Sequence, residues 1–294
     1  MGRGIRAILA PNPSAMTHWG TNTYLLGGRR LAVIDPGPDD PAHLAAILGA
    51  LGPGQSVSHI FVTHAHLDHS PLARRLAAET GAPVLAYGGA EAGRSTVMTR
   101  LAEAGGIGGG EGVDAGFAPD RSLSDGEEVA GDGWRITGHW TPGHFGNHMC
   151  FESGGTMFSG DLVMGWASTL ISPPDGDLTQ FRASCARLAT AAPARLLPGH
   201  GAPVADPAAR IQWLIAHRRA RESAILESLA HGPADAATLA RRIYTDTPPE
   251  LMPAAARNVL AHLVDLVQNA RVRTLSPLSR TTRFALSDDG GQDA

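Results

Sequence analysis

The sequence contains no lysine, so all 24 of its basic residues are arginines. Schiff-base and pyridoxal-type chemistry, a P-loop nucleotide site and a Ser-Lys dyad each need an amine at a fixed position, and the sequence excludes them. Its only cysteines are Cys150 and Cys185. These are too few for a metal cluster or a disulfide framework, which indicates a reducing compartment.

Long apolar runs and targeting signals are also missing. No uninterrupted apolar stretch approaches the ~18 residues that a membrane-spanning helix needs, and no apolar segment typical of a secretory signal follows the first residues. We therefore expect a cytoplasmic protein without a membrane partner. The net charge of −4 is mild, which argues against a chain whose main task is to bind polyanions.

What the sequence does contain suits one large domain with an appendage, because 294 residues with 43% apolar content can bury a sizeable core. Strand-like and helix-like segments alternate in the first half, which predicts a mixed sheet flanked by helices and an α/β (α+β) class. The predicted strands are residues 23–26, 31–34, 59–63 and 83–87, and the predicted helices are 41–51 and 71–80. The glycine-rich residues 105–116 predict a mobile surface loop in preference to a phosphate cradle.

Composition changes near Pro203–Pro207, which divides the chain into a domain of residues 1–206 and a second of residues 207–294. Three predicted helices and two predicted strands in the second part indicate a winged-helix module with a disordered tail from Asp288 onward. Residues 210–294 carry 11 arginines and 9 acidic residues, a net charge of +2. This charge is too small to require a nucleic-acid partner.

Histidine and aspartate concentrate where predicted strands end. The first stretch reads Thr63-His64-Ala65-His66-Leu67-Asp68-His69-Ser70 and leads from a strand into a helix. Because residues i and i+2 of an extended chain face the same side, His64 and His66 can present two imidazoles to one ion. The turn into the helix then directs Asp68 and His69 towards a second position. Imidazole and carboxylate are ligands that suit Zn²⁺, so the stretch predicts a metal site.

Three more stretches place such a side chain just after a predicted strand or a Pro-Gly turn. They carry His144, Asp161 and His200. A lone histidine after a turn is usually a surface residue, but four such stretches in one chain rarely arise by chance. His148 follows His144 by four residues and is either a group that contacts a ligand or substrate, or a structural histidine.

In content and order, these motifs resemble the ligand motifs of the metallo-β-lactamase superfamily of binuclear metal hydrolases, over roughly residues 15–205. The resemblance implies a four-layer αβ/βα sandwich with its site at one edge between two sheets. It also implies two Zn²⁺ per chain, with iron or manganese as alternatives. The implied metal ligands are His64, His66, Asp68, His69, His144, Asp161 and His200.

The resemblance also divides that set. One ion falls to His64, His66 and His144, the other to Asp68, His69 and His200, and Asp161 bridges both. Asp35 is implied to support the ligand loop without binding metal. The implied nucleophile is a hydroxide between the two ions, with Asp68 as a catalytic group that orients it and His148 as a further catalytic candidate.

The C-terminal segments narrow the resemblance to the subgroup typified by β-lactamase-like protein 2. They are Arg218-Arg219-Ala220-Arg221-Glu222, Tyr244-Thr245-Asp246-Thr247-Pro248 and Ala255-Ala256-Arg257-Asn258-Val259. Mammalian members of that subgroup are endoribonucleases that act on single-stranded RNA, while many bacterial relatives have no known substrate.

Three functions remain open. The first is a hydrolase of small-molecule esters, thioesters or lactones, the second a single-stranded RNA endoribonuclease that uses the winged helix, and the third a winged-helix regulator with a ligand-sensing sandwich. The full ligand set argues against the third. The negative charge and the 5% aromatic content argue against the second. We therefore predict a small-molecule hydrolase, with a homodimer as a candidate assembly.

Overall fold

Two β-sheets face each other in the first 200 residues of the computed structural model, which describes residues 4–287. The first sheet has the strand order β1-β2-β3-β4-β5-β6, antiparallel among β1 to β3 and parallel from β3 to β6. Its strands are β1 (Ile5–Leu9), β2 (Asn22–Leu26), β3 (Arg30–Ile34), β4 (Ser56–Phe61), β5 (Val84–Ala86) and β6 (Arg121–Ser122). The second sheet has the order β11-β10-β9-β8-β7. Its strands are β7 (Glu128–Ala130), β8 (Arg135–Trp140), β9 (Met149–Ser153), β10 (Thr156–Gly160) and β11 (Arg195–Pro198).

Helices cover the outer face of each sheet. The α-helices within the described residues are α1 (Pro41–Gly49), α2 (Leu72–Thr80), α3 (Thr96–Ala104), α4 (Leu178–Ala191), α5 (Pro207–Ala230), α6 (Ala236–Ile243) and α7 (Met252–Gln268). Apolar residues of α1 and α2 pack on the first sheet, and those of α4 and α5 pack on the second. Between the sheets, Phe61 from one and Phe151 from the other share a buried cluster. These layers confirm the predicted αβ/βα sandwich and the α+β class.

The C-terminal region has its own core. Helices α6 and α7 pack with the end of α5 and with a three-stranded sheet of β12 (Ala234–Asp235), β13 (Val272–Thr274) and β14 (Arg283–Leu286). This arrangement confirms the predicted winged helix. Ile211 near the start of α5 belongs to the sandwich core and Leu229 near its end to the C-terminal core. The helix thus joins the two cores, and the division at residue 206 stays a prediction.

Residues 105–116 depart from the sequence prediction. Ile107 is buried in the C-terminal core, and the backbone carbonyl of Gly112 accepts a hydrogen bond from Leu67 N at 2.8 Å. The prediction of a surface loop is therefore wrong at Ile107, because apolar contacts with the C-terminal domain cover its side chain.

The predicted tail from Asp288 onward lies outside the described residues. Within residues 4–287, no helix combines the length and apolar character needed to cross a membrane.

Candidate metal centre

The predicted ligands come from strand ends that the topology brings to one edge. Strands β3 and β4 are parallel, and the antiparallel pairs β8–β9 and β9–β10 make β8 parallel to β10 and to β11. Because parallel strands end at the same edge of a sheet, the segments after β8, β10 and β11 meet at one edge of the second sheet, and the segment after β4 of the first sheet contacts them there. The meeting side chains are His64, His66, Asp68, His69, His144, Asp161 and His200.

Three imidazoles form a first group. The distance from His64 Nε2 to His66 Nδ1 is 2.9 Å, and the distance from His66 Nδ1 to His144 Nε2 is 3.1 Å. Burial lowers the pKa of all three rings, that of His66 to about 3. They are therefore neutral at physiological pH, which is the form of imidazole that binds a metal ion.

Asp68, His69 and His200 form a second group. Asp68 Oδ2 lies 3.5 Å from His69 Nε2 and 3.1 Å from His200 Nε2, and the two imidazole nitrogens are 3.2 Å apart. Burial by itself lowers the pKa of His69 and His200, but the carboxylates of Asp68 and Asp161 outweigh it and raise both, that of His200 to about 9. A cation that binds here must therefore displace protons.

Asp161 faces both groups. Its Oδ1 lies 3.6 Å from His69 Nε2, and its Oδ2 lies 3.4 Å from His200 Nε2 and 3.7 Å from His144 Nε2. Among the described residues, Oδ1 has no hydrogen-bond partner although it is buried. A buried, unpaired carboxylate oxygen is costly, and a cation would satisfy it. The donor set therefore fits metal ions, with Asp161 between the two groups.

The outer nitrogens of several rings are held by the protein. His144 Nδ1 donates to the Leu170 carbonyl at 2.7 Å, and His200 Nδ1 donates to the Gly20 carbonyl at 3.1 Å. A carbonyl can only accept, so these contacts place a proton on Nδ1, and in the neutral form of each ring Nε2 carries the lone pair that faces the cluster. Such outer contacts orient the ligands of a metal site.

Asp35 supports the first ligand segment. Its Oδ1 accepts from Thr63 N at 2.7 Å, and its Oδ2 accepts from Thr63 Oγ1 at 2.8 Å and lies 3.0 Å from His69 Nδ1. Asp35 adopts a φ of 51°, a left-handed conformation that is costly for a residue with a side chain. The hydrogen bonds to Thr63 and His69 compensate for that cost.

His148 lies beneath the cluster instead of in contact with solvent. Its side chain is fully buried, its Nε2 accepts from Asp161 N at 3.2 Å, and its Nδ1 is 3.0 Å from Thr141 Oγ1. A Cβ at Gly160 would come within 2.6 Å of His148 Nε2, so only glycine allows this approach. The predicted catalytic role of His148 remains untested, and the contact with Asp161 N is one that supports the carboxylate.

A cavity of about 790 Å³ opens from the cluster. His66, Asp68, His144 and Asp161 line one end, and residues of the C-terminal domain, among them Ala237, line the other. Sequence reasoning missed this second wall because alanine carries no chemical signal. The site therefore lies between the sandwich and the winged helix.

The C-terminal domain also holds the segment that positions His144. Arg218 donates to the Thr169 carbonyl, and Asn258 Oδ1 accepts from Ile171 N at 3.0 Å and from Arg218 Nη1 at 3.1 Å. Leu170, whose carbonyl accepts from His144, lies between these two anchored residues. Arg218 and Asn258 fall within the C-terminal segments that resemble the β-lactamase-like protein 2 subgroup, but the sequence alone assigned them no role.

Comparison with known families agrees with this architecture. Residues 16–200 match the sequence profile described as "Metallo-beta-lactamase superfamily", and residues 236–277 match the profile described as "Beta-lactamase associated winged helix domain". The first match covers more than half of the chain.

Individual relatives extend over both domains. A protein named "Beta-lactamase-like protein 2 homolog" from Drosophila melanogaster is 33% identical over 278 residues, which is 90% of this chain and 88% of the relative. A metallo-β-lactamase family protein from Thermus thermophilus has a similar structure, with a TM-score of 0.77, 27% identity and coverage of 96% of this chain and 98% of its own. A third protein, solved in a di-iron-bound form, is similar over 68% of this chain and 94% of its own, with a TM-score of 0.51 and 26% identity.

Proposed function

Because the chain belongs to the metallo-β-lactamase superfamily, we propose that it is a metal-dependent hydrolase that cleaves an ester, thioester or lactone bond of a small molecule. The observation that carries the proposal is the convergence of five imidazoles and two carboxylates at the end of a cavity. The proposed cofactor is a pair of Zn²⁺ ions, with iron or manganese as alternatives.

In this proposal, His64, His66 and His144 would hold one ion, Asp68, His69 and His200 would hold the other, and Asp161 would lie between the two. When bound, divalent cations lower the pKa of a water molecule and polarise the bond to be hydrolysed. The protein's own contribution is to fix the direction of each donor atom. Asp35 does so for His69, and the Leu170 carbonyl does so for His144.

Asp68 is the proposed ligand that also orients the attacking water. Its side chain is 28% exposed and lines the cavity, so it reaches the space where the substrate would lie. Burial raises the pKa of Asp68, but His69 and His200 outweigh burial and hold that pKa well below its usual value. The carboxylate is therefore ionised at neutral pH and accepts a hydrogen bond, so it cannot serve as a proton donor.

The charges of the cavity favour a small molecule over RNA. Its lining includes two arginines, Arg257 and Arg280. Arg257 donates to the carbonyls of Ile107 and Pro173, and Arg280 lies 3.5 Å from the carboxylate of Glu111. An RNA-binding path needs cations that are free to neutralise phosphates. Arg257 is thus engaged by carbonyls of the protein, and the charge of the exposed Arg280 is offset by that of Glu111.

A turnover screen of the zinc-loaded, full-length protein tests the proposal. We expect hydrolysis of at least one of a thioester, a lactone and an aryl ester, and loss of that activity in His66→Ala. The matched control is His231→Ala, which removes an exposed histidine at the end of α5. Cleavage of single-stranded RNA without turnover of the small substrates would support the endoribonuclease instead. Less than about one bound ion per chain after metal loading would overturn the metal-dependent mechanism.

A further inference from the structure

We propose that the substrate carries an extended apolar group, which lies against α6 and α7, and that Ala237 and Ala254 determine its size. This inference rests on the proposed function, since it places the scissile bond at the candidate metal centre. It adds a substrate class and two specificity-determining residues of the C-terminal domain.

The cavity is continuous with the cluster of candidate ligands. His66, Asp68, His144 and Asp161 line the same cavity of about 790 Å³ as the residues of α6 and α7. That volume lies in the range of sites that enclose most of a small organic molecule. A bond held beside Asp68 therefore leaves the rest of its molecule facing this space.

The cavity wall formed by the C-terminal domain is mainly apolar. Its lining residues from the C-terminal domain are mostly small or apolar, and they include Ala236, Ala237, Leu251, Pro253, Ala254 and Ala255. Alanine methyl groups leave room while presenting apolar surface. An apolar group is stabilised against such a wall, whereas a polar group loses its hydrogen bonds with water and gains none.

Two charged side chains of the cavity lining are already bound to other groups of the protein. Arg257 Nε donates to Ser172 Oγ at 2.8 Å, in addition to its two carbonyl contacts. Asp175 accepts from Arg94 Nη2 at 2.7 Å and from Gly110 N at 2.6 Å. Arg257 and Asp175 therefore offer no free charge to the substrate, which favours an uncharged group against the apolar wall.

Large apolar side chains also lie at the mouth of the cavity. Met16 and Trp166 line it, and His18 stacks between Trp166 and Trp19 with ring centroids 4.7 and 4.4 Å apart. Met16 and Trp19 are large apolar side chains with about half of their surface exposed, at 46% and 56%. The apolar lining thus continues outward, so a group longer than the cavity remains in contact with apolar surface.

Hydrolysis of a chain-length series tests the inference in the full-length, metal-loaded protein. One arm uses 4-nitrophenyl esters from acetyl to decanoyl, and the other uses thioacetates with alkyl groups of increasing length, which distinguishes an apolar acyl group from an apolar leaving group. We expect kcat/KM to rise with length in one arm. Ala254→Leu and Ala237→Leu should lower kcat/KM by about 10-fold for the longest member, since small changes of volume in an apolar pocket have effects of this size.

The shortest member of the series and Ala216→Leu provide the controls. Acetyl esters should react equally with wild type and the two variants, because they do not reach α6 or α7. Ala216 is an exposed alanine of α5 that is not part of the cavity lining, so the same substitution there should change no rate. Equal losses for short and long substrates in Ala254→Leu, with an unchanged thermal midpoint of unfolding, would overturn the inference.

A binding measurement separates this inference from the proposed function. Equilibrium dialysis with decan-1-ol and butan-1-ol needs no turnover. We expect decan-1-ol to bind at least about 10-fold more tightly and Ala254→Leu to abolish the difference. Tight binding of decan-1-ol without hydrolysis of any ester would retain the apolar site and reject the proposed hydrolase, whereas equal binding of the two alcohols would reject the apolar site.

Discussion

The two groups of candidate ligands differ in what holds them. In the second group, Asp35 contacts His69 and the Gly20 carbonyl accepts from His200, so both supports come from the sandwich domain. In the first group, His144 is held by the Leu170 carbonyl. The residues on either side of Leu170 are anchored by Arg218 and Asn258 of the C-terminal region.

The winged helix therefore helps to position His144, which belongs to the first group of candidate ligands. The sheets and their strand ends suffice to place the second group, because all its contacts arise within the first 200 residues. In the first group, the position of His144 depends on Arg218 and Asn258, which lie far along the chain and meet the segment around Leu170 only after the two domains have packed. A disturbance of the domain interface should therefore affect the first group more than the second.

The largest expected effect is the loss of metal binding by both groups. Asp161→Ala removes the carboxylate that faces both groups, so both proposed ions should be lost and kcat/KM should fall by more than about 100-fold. Metal analysis and turnover measure the two losses. Asp39→Ala, at an exposed carboxylate paired with Arg75, is the control and should retain both ions. Retention of two ions by Asp161→Ala would contradict its assigned position.

The metal affinities of the two groups should depend differently on pH. In the metal-free protein, the carboxylates of Asp68 and Asp161 raise the pKa of His69 well above its usual value and that of His200 to about 9, whereas burial lowers the pKa of His66 to about 3. Binding to the second group must therefore release two protons, so its affinity should rise about 100-fold per pH unit between pH 6 and 8. The affinity of the first group should stay nearly constant. Chelator competition across this range measures both, and parallel pH dependence would refute the difference.

Asp35→Asn should weaken the second group more than the first. The amide cannot both accept from Thr63 N and Thr63 Oγ1 and act as the anionic partner of His69, so that ring loses its orientation. His64 is affected only indirectly, because its Nδ1 lies 3.0 Å from Thr63 Oγ1. We expect the affinity of the second ion to fall by about 10- to 100-fold, which is the usual effect of losing such an outer contact, and that of the first ion to fall less. Chelator titration measures both affinities, and equal weakening of both would mean that Asp35 acts on the whole cluster.

Asn258→Ala should weaken metal binding by the first group, with a smaller effect than Asp35→Asn has on the second. It leaves Ile171 N without its acceptor, which loosens the segment that holds His144, and we expect about 10-fold weaker binding of the first ion with about 1–3 kcal/mol lower stability. Asn258→Asp retains the acceptor oxygen and should restore the affinity. Val259→Ala, a core truncation in the same helix, should lower stability without a selective effect on either ion. If Val259→Ala reproduces the selective loss, Asn258 has no specific positioning role.

Much of the fold could be predicted because local signals agree with it. Helix α2 and strands β3 and β4 match their predicted positions within a few residues, since apolar runs and Gly-Pro turns mark them. Helix α4 was not predicted although its signal is present. Asp177 caps it, and Leu178, Phe181, Cys185 and Leu188 face the core at helical spacing. Alanine, serine and threonine between them obscure the pattern.

The candidate site was predictable to a similar extent. The seven clustered side chains stand out as histidine and aspartate at strand ends. The contacts of Arg218 and Asn258 could not be foreseen, because a polar residue on a helix usually faces solvent. Arg218 is instead fully buried, and its partners Thr169 and Asn258 are 49 and 40 residues away. Such pairings depend on how the domains pack, which local sequence does not encode.

Helix α7 carries two roles on one face, since Ala254 and Asn258 lie four residues apart and both line the cavity, while Asn258 also accepts from the segment beside His144. Substrate preference and donor geometry are therefore encoded by neighbouring residues of a single helix. A mutant library restricted to the lining alanines of α6 and α7, with Asn258 retained, would offer a route to retarget the protein to new molecules, without redesign of the residues that carry out the reaction.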